Sequence, residues 1–148
     1  MRIRHAPYKS RAGVTLVELC LVLTLVGILA SIAVTQATRY IDRAAARAAV
    51  AEAASVLLRA RDEAMAQRAP VSVRIDTAAA ALELSTRGVV LSRAALGHAH
   101  GVSLSTTRDS LTYDVRGLGY GAANLTMIAR RGGATESLVV SRLGRVRW

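Results

Sequence analysis

The chain has 148 residues, room for one domain of ordinary size and not for two. Its residues are 52% hydrophobic but only 3% aromatic, with no Phe, so the apolar content is Ala, Val and Leu; that suits long helices and thin cores and excludes a disordered or collagen-like chain. Lys and Arg number 20 against 10 Asp and Glu, a net charge of +10, and every basic residue but Lys9 is Arg, which points to a polyanion or an anionic lipid surface as partner. The one cysteine, Cys20, excludes a disulfide framework, a CxxC redox pair or a cysteine-rich zinc site within one chain.

Residues 2–13 carry Arg2, Arg4, Lys9 and Arg11 with no acid, and Val14 to Val34 then form an apolar run of 21 residues, long enough to span a bilayer as a helix. A secretory signal peptide has a shorter apolar core with a small-residue cleavage site after it; here the obvious small residue, Gly13, comes first, so the run reads as retained. Arg39, Arg43 and Arg47 behind the span nearly balance the leader, so flanking charge does not fix orientation. Within the run lies Glu18. An ionised side chain costs roughly 2.5–3.5 kcal/mol at a span centre and less near an end. Glu18 therefore either reaches water at the interface or meets a cationic partner.

The stretch Arg11-Ala-Gly-Val-Thr-Leu-Val-Glu-Leu-Cys-Leu-Val-Leu-Thr-Leu-Val-Gly-Ile-Leu-Ala30 resembles the N-terminal signature of type IV pilins and type II secretion pseudopilins. The resemblance implies a prepilin leader over 1–13, cut after Gly13 by a prepilin peptidase, N-methylation of Val14, and Glu18 as fifth mature residue. There it would pair with a neighbouring subunit's N-terminal amine during filament assembly. The chain departs from the family in starting its mature part with Val14 where Phe or Met is usual, and in having Thr35 about where many members have Pro.

From Thr35 to Ala69 there is no Gly or Pro, and Ile41, Ala44, Ala48, Ala51, Ser55 and Leu58 recur at steps of three and four, which predicts one helix from Val14 to about Arg68. Such a helix is about 80 Å long at about 1.5 Å per residue, too long to be buried in one small globule. Residues 14–34 are its transmembrane half and 35–69 its soluble half, ended by Ala69-Pro70. Beyond Pro70 the period becomes two. Short strands are expected at Val71–Ile75, Ala81–Ser85, Val102–Thr106, Leu111–Val115, Leu125–Ala129 and Ser137–Ser141, with glycines marking the turns. The fold class is thus α+β, a long N-terminal helix packed on a small antiparallel sheet domain over 70–148.

Catalytic constellations are absent by motif. Gly97-His-Ala-His-Gly101 reads as a solvated loop whose two histidines lack a third metal ligand at any usual spacing, so no metal or cofactor is expected. Gly117-Leu-Gly-Tyr-Gly121 reads as a hairpin turn, because no helix follows to make a phosphate cradle. Charge is the stronger signal. From Arg116 to Trp148 there are six arginines (116, 130, 131, 142, 145, 147) against one acid, Glu136. If Leu143 to Arg147 is extended, Arg145 and Arg147 leave one face as a pair able to straddle adjacent phosphates, and Trp148 offers a stacking surface for a base. The bland alternative is an ordinary solvated face, or contacts to acidic filament neighbours.

The strand-rich half and the closing Ser141-Arg-Leu-Gly-Arg-Val-Arg147 are similar to H-type minor pseudopilins and to FimT-type minor pilins, in which a C-terminal Gly-Arg-x-Arg motif binds DNA. The resemblance implies a DNA-binding motif in which Arg145 and Arg147 contact phosphate and Gly144 allows the turn; the charge pattern and the terminal aromatic extend the candidate set to Arg142, Arg130, Arg131 and Trp148. It also implies other pilin subunits, the peptidase and the bacterial inner membrane as partners, with the C-terminal domain in the periplasm or a surface filament. The competing expectation is an H-type pseudopilin acting only in protein secretion.

Overall fold

The structure is a computed structural model describing residues 13–120 and 124–148, so the expected leader up to residue 12 and Gly121 lie outside the described residues. The chain divides into two compact units, residues 1–37 and 38–148. Helix α1, Leu16–Gln67, contributes to both.

In the first unit, Thr15 caps the helix. The Glu18 N–H donates to Thr15 Oγ1 at 3.3 Å and the Leu19 N–H to the Thr15 carbonyl at 3.1 Å. Thr15 and Glu18 have capping-box spacing, and a carboxylate in the first turn is favoured by the helix dipole. From Gly13 to Ile41 every side chain is exposed. The hydroxyls in this stretch close on their own helix: Thr24 donates to the Cys20 carbonyl at 2.7 Å and Ser31 to the Ile28 carbonyl at 2.8 Å. A span with internally satisfied hydroxyls and an apolar exterior suits a medium that offers no hydrogen bonds.

The helix ends as Pro70 requires. Arg68 turns left-handed at φ 48°, and the Ala69 N–H reaches back to the Ala64 carbonyl at 3.3 Å, a Schellman closure.

In the second unit eight strands follow: β1 Val71–Asp76, β2 Ala81–Thr86, β3 Val89–Ala94, β4 Ser103–Thr106, β5 Ser110–Tyr113, β6 Leu125–Arg131, β7 Ala134–Val140 and β8 Val146–Arg147. They form two antiparallel four-stranded sheets, ordered β3-β2-β1-β5 and β4-β6-β7-β8, where the sequence suggests one small sheet domain. The β1–β2 turn is held by the Asp76 carboxylate. The hydrogen bond from the Ala79 N–H, opposed by desolvation and helped by the Ala78 N–H and by Arg93 and Arg74, keeps its pKa below the usual value.

The helix forms as the periodicity predicts, and the face that displayed it is the exposed one. Ile41, Ala44, Ala48, Ala51, Ser55 and Leu58 are all exposed. The buried stripe is Ala46, Ala49, Val50, Ala53, Ala54, Leu57, Ala60 and Ala64, on the opposite side of the helix. Small apolar residues occupy both sides, so spacing alone does not choose between them. The buried stripe joins Val71, Val73, Leu82, Leu84 and Leu111 of the first sheet and Leu125, Met127, Leu138 and Val140 of the second in one core.

Strand β3 escapes the alternation pattern because Val89, Val90 and Leu91 are consecutive apolar residues, all exposed on a sheet edge. Its hairpin closes on Arg87-Gly88, both at positive φ, the geometry of a two-residue primed turn. The Gly97–Gly101 loop is instead a short helix, α2, Leu96–His100, anchored by buried Leu96. Strand β5 stops at Tyr113, short of Val115, because Asp114 opens a turn: its Oδ1 accepts from the Arg116 and Leu118 N–H groups, both at 2.9 Å.

Tyr113 is fully buried, and its hydroxyl has no partner among the described residues. Burial pushes its pKa from 10 up to about 12, with Arg61 pulling weakly the other way. The neutral phenol is therefore favoured in the folded state, and stability is full below pH 10 and falls as pH rises from about 10 through about 12. Urea unfolding of residues 38–148 at stepped alkaline pH is expected to show this fall. Tyr113→Phe is expected to remove most of it, and an identical fall in the variant would contradict the assignment.

Candidate functional site

The C-terminal arginines sit behind a tight turn. The Gly144 N–H donates to the Ser141 carbonyl at 2.9 Å, and the Ser141 N–H to the Arg145 carbonyl at 2.9 Å. Gly144 has φ 71°, and a Cβ there would lie 2.9 Å from the Gly117 carbonyl oxygen and 3.1 Å from the Tyr113 ring. Glycine at 144 is thus required by backbone conformation and by close approach to a second turn. Leu143 lies in the turn, and the extended segment is shorter than expected, beginning after Gly144.

Strand β8 forms the edge of the second sheet, with Arg147 opposite Val139 and Val146 opposite Val140. Val140 is buried and Val139 is not, so Val146 points to the core and Arg147 outward, with Arg145 on the same outer side by alternation. Arg130 belongs to that face as well: it is exposed on β6, level with Ser103 and Thr135. The rest of the face mixes the hydroxyls of Ser105, Thr126 and Ser137 with the apolar Ile128 and Val139, and its strand residues include no carboxylate. The first sheet differs: across it Arg74, Glu83 and Arg93 stand in register beside Asp76, so its arginines face acids at short range.

Two expected members of the site are elsewhere. Arg131 points to the helix side, its Nε 3.2 Å from Asp42 Oδ1 and its Nη1 donating to the His100 carbonyl at 2.5 Å. Trp148 is 65% exposed but lines a groove with Arg47, Val50, Ala51 and Glu136, again on the helix side. Arg142 is exposed on the turn itself. His98 is exposed, and His100 Nε2 lies 2.7 Å from Glu52 Oε2, tying α2 to α1. Arg47 and Glu136, 2.9 Å apart, add a third tie between α1 and the strands. Sequence inspection missed these ties, since each joins residues far apart in the chain. In the first unit Gly13, Val14 and Glu18 are all exposed, and nothing crowds Gly13.

No protein-family model and no curated protein sequence matches the chain. Solved structures do. The type IV minor pilin FimU of Pseudomonas aeruginosa superposes with a TM-score of 0.61 at 20% identity, over 69% of this chain and 86% of that one. A second crystal form of FimU gives 0.59 at 18% identity, over 68% and 90% of the two chains. The minor pseudopilin EpsH of the Vibrio cholerae type 2 secretion system gives 0.55 at 16% identity, over 69% and 94%. This is the type IV pilin-like fold. At such identities the likeness extends to the pilin-like architecture and not to individual site residues.

Within this pilin-like fold the role of Gly144 can be checked directly. Gly144→Ala is expected to destabilise residues 38–148 by about 1–3 kcal/mol in urea unfolding, because the left-handed backbone and the Gly117 carbonyl both oppose a side chain. Unchanged stability would mean that the turn can rearrange and that the glycine is not structurally required.

Proposed function

We propose that the chain is a minor subunit of a type IV pilus or type II secretion filament, made as an inner-membrane precursor, cleaved after Gly13 and methylated on Val14. Its work is assembly and capture, not catalysis. The observation that carries this reading is the exposed apolar run Val14–Val34 with Glu18 near its start, directly behind Gly13, in a chain whose fold is pilin-like. Glu18 sits in the first helical turn, where helix dipole and cap make an ionised carboxylate tolerable until a neighbouring subunit's amine pairs with it.

Within that role we infer DNA binding by Arg145, Arg147 and Arg130, with Arg142 at the margin and Gly144 shaping the turn. The support is electrostatic: three exposed arginines share a sheet face free of carboxylates, and hydroxyls between them can donate to phosphate oxygens. Arg131 and Trp148 drop out of this interface because they face α1. Binding is sequence-independent and salt-sensitive, in the micromolar range or weaker for the roughly two to five phosphate contacts available. Clustered subunits would raise it by avidity. The likeness to EpsH favours a second reading, a secretion pseudopilin with no DNA function.

Fluorescence anisotropy of duplex DNA with the detergent-solubilised chain, at several salt concentrations, separates the two. The Arg130→Ala/Arg145→Ala/Arg147→Ala variant is expected to lose most affinity and to flatten the log–log salt slope by about 2–3. Arg74→Ala/Arg93→Ala, which removes arginines already facing Glu83 and Asp76, is expected to change little. Equal binding by both variants, or none by the wild type, would overturn the DNA reading and favour secretion.

A further inference from the structure

A second basic site lies on α1, away from the sheet face. Arg39 and Arg43, four residues apart and both exposed, line a cleft of about 370 Å³ with Asp42, Gly133 and Ala134, where the β6–β7 turn meets the helix. The turn passes so close that a Cβ on Gly132 would collide with Asp42 Oδ2, while nothing crowds Gly133. Asp42 is the one carboxylate in the cleft, and Arg131 holds it at 3.2 Å. Neither Arg39 nor Arg43 has an ion-pair partner among the described residues. Counting Arg39, Arg43 and Arg131 against Asp42, the cleft has a surplus of two positive charges, a setting for a phosphate group.

The neighbouring residues say which phosphate. Tyr40 is 75% exposed and Ile41 is 53% exposed between the two arginines. An exposed aromatic and a large apolar residue beside arginines is the composition of a membrane interface. The apolar run ends at Val34, only five residues before Arg39 in the chain, a tether of at most about 3.3–3.6 Å per residue. The polar headgroup layer is roughly 5–8 Å deep on each side of the hydrocarbon. The short tether keeps Arg39 close to that layer, and Arg43 extends toward it on a flexible stem.

We propose that Arg39 and Arg43 hold the phosphate of an anionic phospholipid headgroup in this cleft. The proposal rests on the reading of Val14–Val34 as a bilayer anchor. It gives the membrane-resident subunit a specific lipid contact, separate from the DNA-binding face and on the other side of the second sheet. Leaving the membrane for a filament would require releasing that lipid.

The test is native mass spectrometry of the full chain released from detergent micelles doped with phosphatidylglycerol, with phosphatidylcholine, or with inorganic phosphate alone. Retention of phosphatidylglycerol is expected to exceed that of phosphatidylcholine on the order of tenfold, given the attraction of two arginines to an anionic surface. Arg39→Gln/Arg43→Gln is expected to lose that preference, and Arg87→Gln/Arg116→Gln, with the same change of charge elsewhere, to keep it. Equal retention of the two lipids, or equal loss in the two variants, overturns the proposal; so does inorganic phosphate held as strongly as phosphatidylglycerol, which would assign the cleft to free phosphate. A parallel carbonate wash of phosphatidylcholine vesicles carrying the chain tests the anchor itself. If the chain washes off, the anchor reading fails and the headgroup site with it; if it stays while the Arg39/Arg43 variant keeps its lipid preference, only the headgroup site falls.

Discussion

Residues 38–148 depend on one packing constraint: a stripe of small side chains on α1 must meet two sheets at once. Ala46, Ala49, Ala53, Ala60 and Ala64 are completely buried, with Leu57 the largest helix side chain among them. Alanine lets strands approach the helix closely but contributes little apolar area per residue, so the strands supply the bulk through Leu82, Leu84, Leu125, Met127 and Leu138. The chain has no Phe, and Tyr113 is the one aromatic residue in this core. Polar ties from the helix surface, Arg47 to Glu136, Glu52 to His100 and Asp42 to Arg131, then fix β7, α2 and β6 against it. Partly exposed pairs of this kind add little stability, but they set which side chains remain free.

That last effect shapes the surface electrostatics. Three acids at the interface of α1 with the rest of the unit, Asp42, Glu52 and Glu136, are engaged with Arg131, His100 and Arg47, and the first sheet's outer acids stand beside Arg74 and Arg93. Of the arginines left without an acid among the described residues, Arg130, Arg145 and Arg147 share the outer face of the second sheet and Arg39 and Arg43 share a cleft, while others such as Arg59, Arg87, Arg108 and Arg116 stand exposed elsewhere. Face and cleft each suit a phosphodiester, but in different surroundings: hydroxyls mixed with Ile128 and Val139 on the face of Arg130, Arg145 and Arg147, and exposed Tyr40 and Ile41 on other sides of the helix segment that carries the cleft arginines.

Much of the fold was legible before the structure. Alternation located five of the six expected strands to within two residues, and Pro70 located the end of α1. Three things were not legible, each for a physical reason. The buried side of α1 was not assigned because alanine lies on both sides, and only tertiary contact distinguishes Ala49 from Ala48. Strand β3 was missed because Val89-Val90-Leu91 lacks alternation and Arg87-Gly88 is a weaker turn signal than Asn-Gly. The split between Arg130 and Arg131 depends on the register of β6, which no local pattern reveals, and the same holds for Trp148 against Arg147. The glycine of the Gly-Arg-Val-Arg tail was read as part of a ligand site, and the structure adds a packing reason for it in Gly117 and Tyr113.

The central claim is that Gly13 and Val14 mark a processing site at the head of a membrane-anchored filament subunit. Intact-mass spectrometry of the membrane-extracted protein, from cells containing an active prepilin peptidase, tests it most directly. The account predicts a mature chain beginning at Val14 with one added methyl group. A chain still beginning at Met1 in cells where a known pilin is fully processed would contradict it.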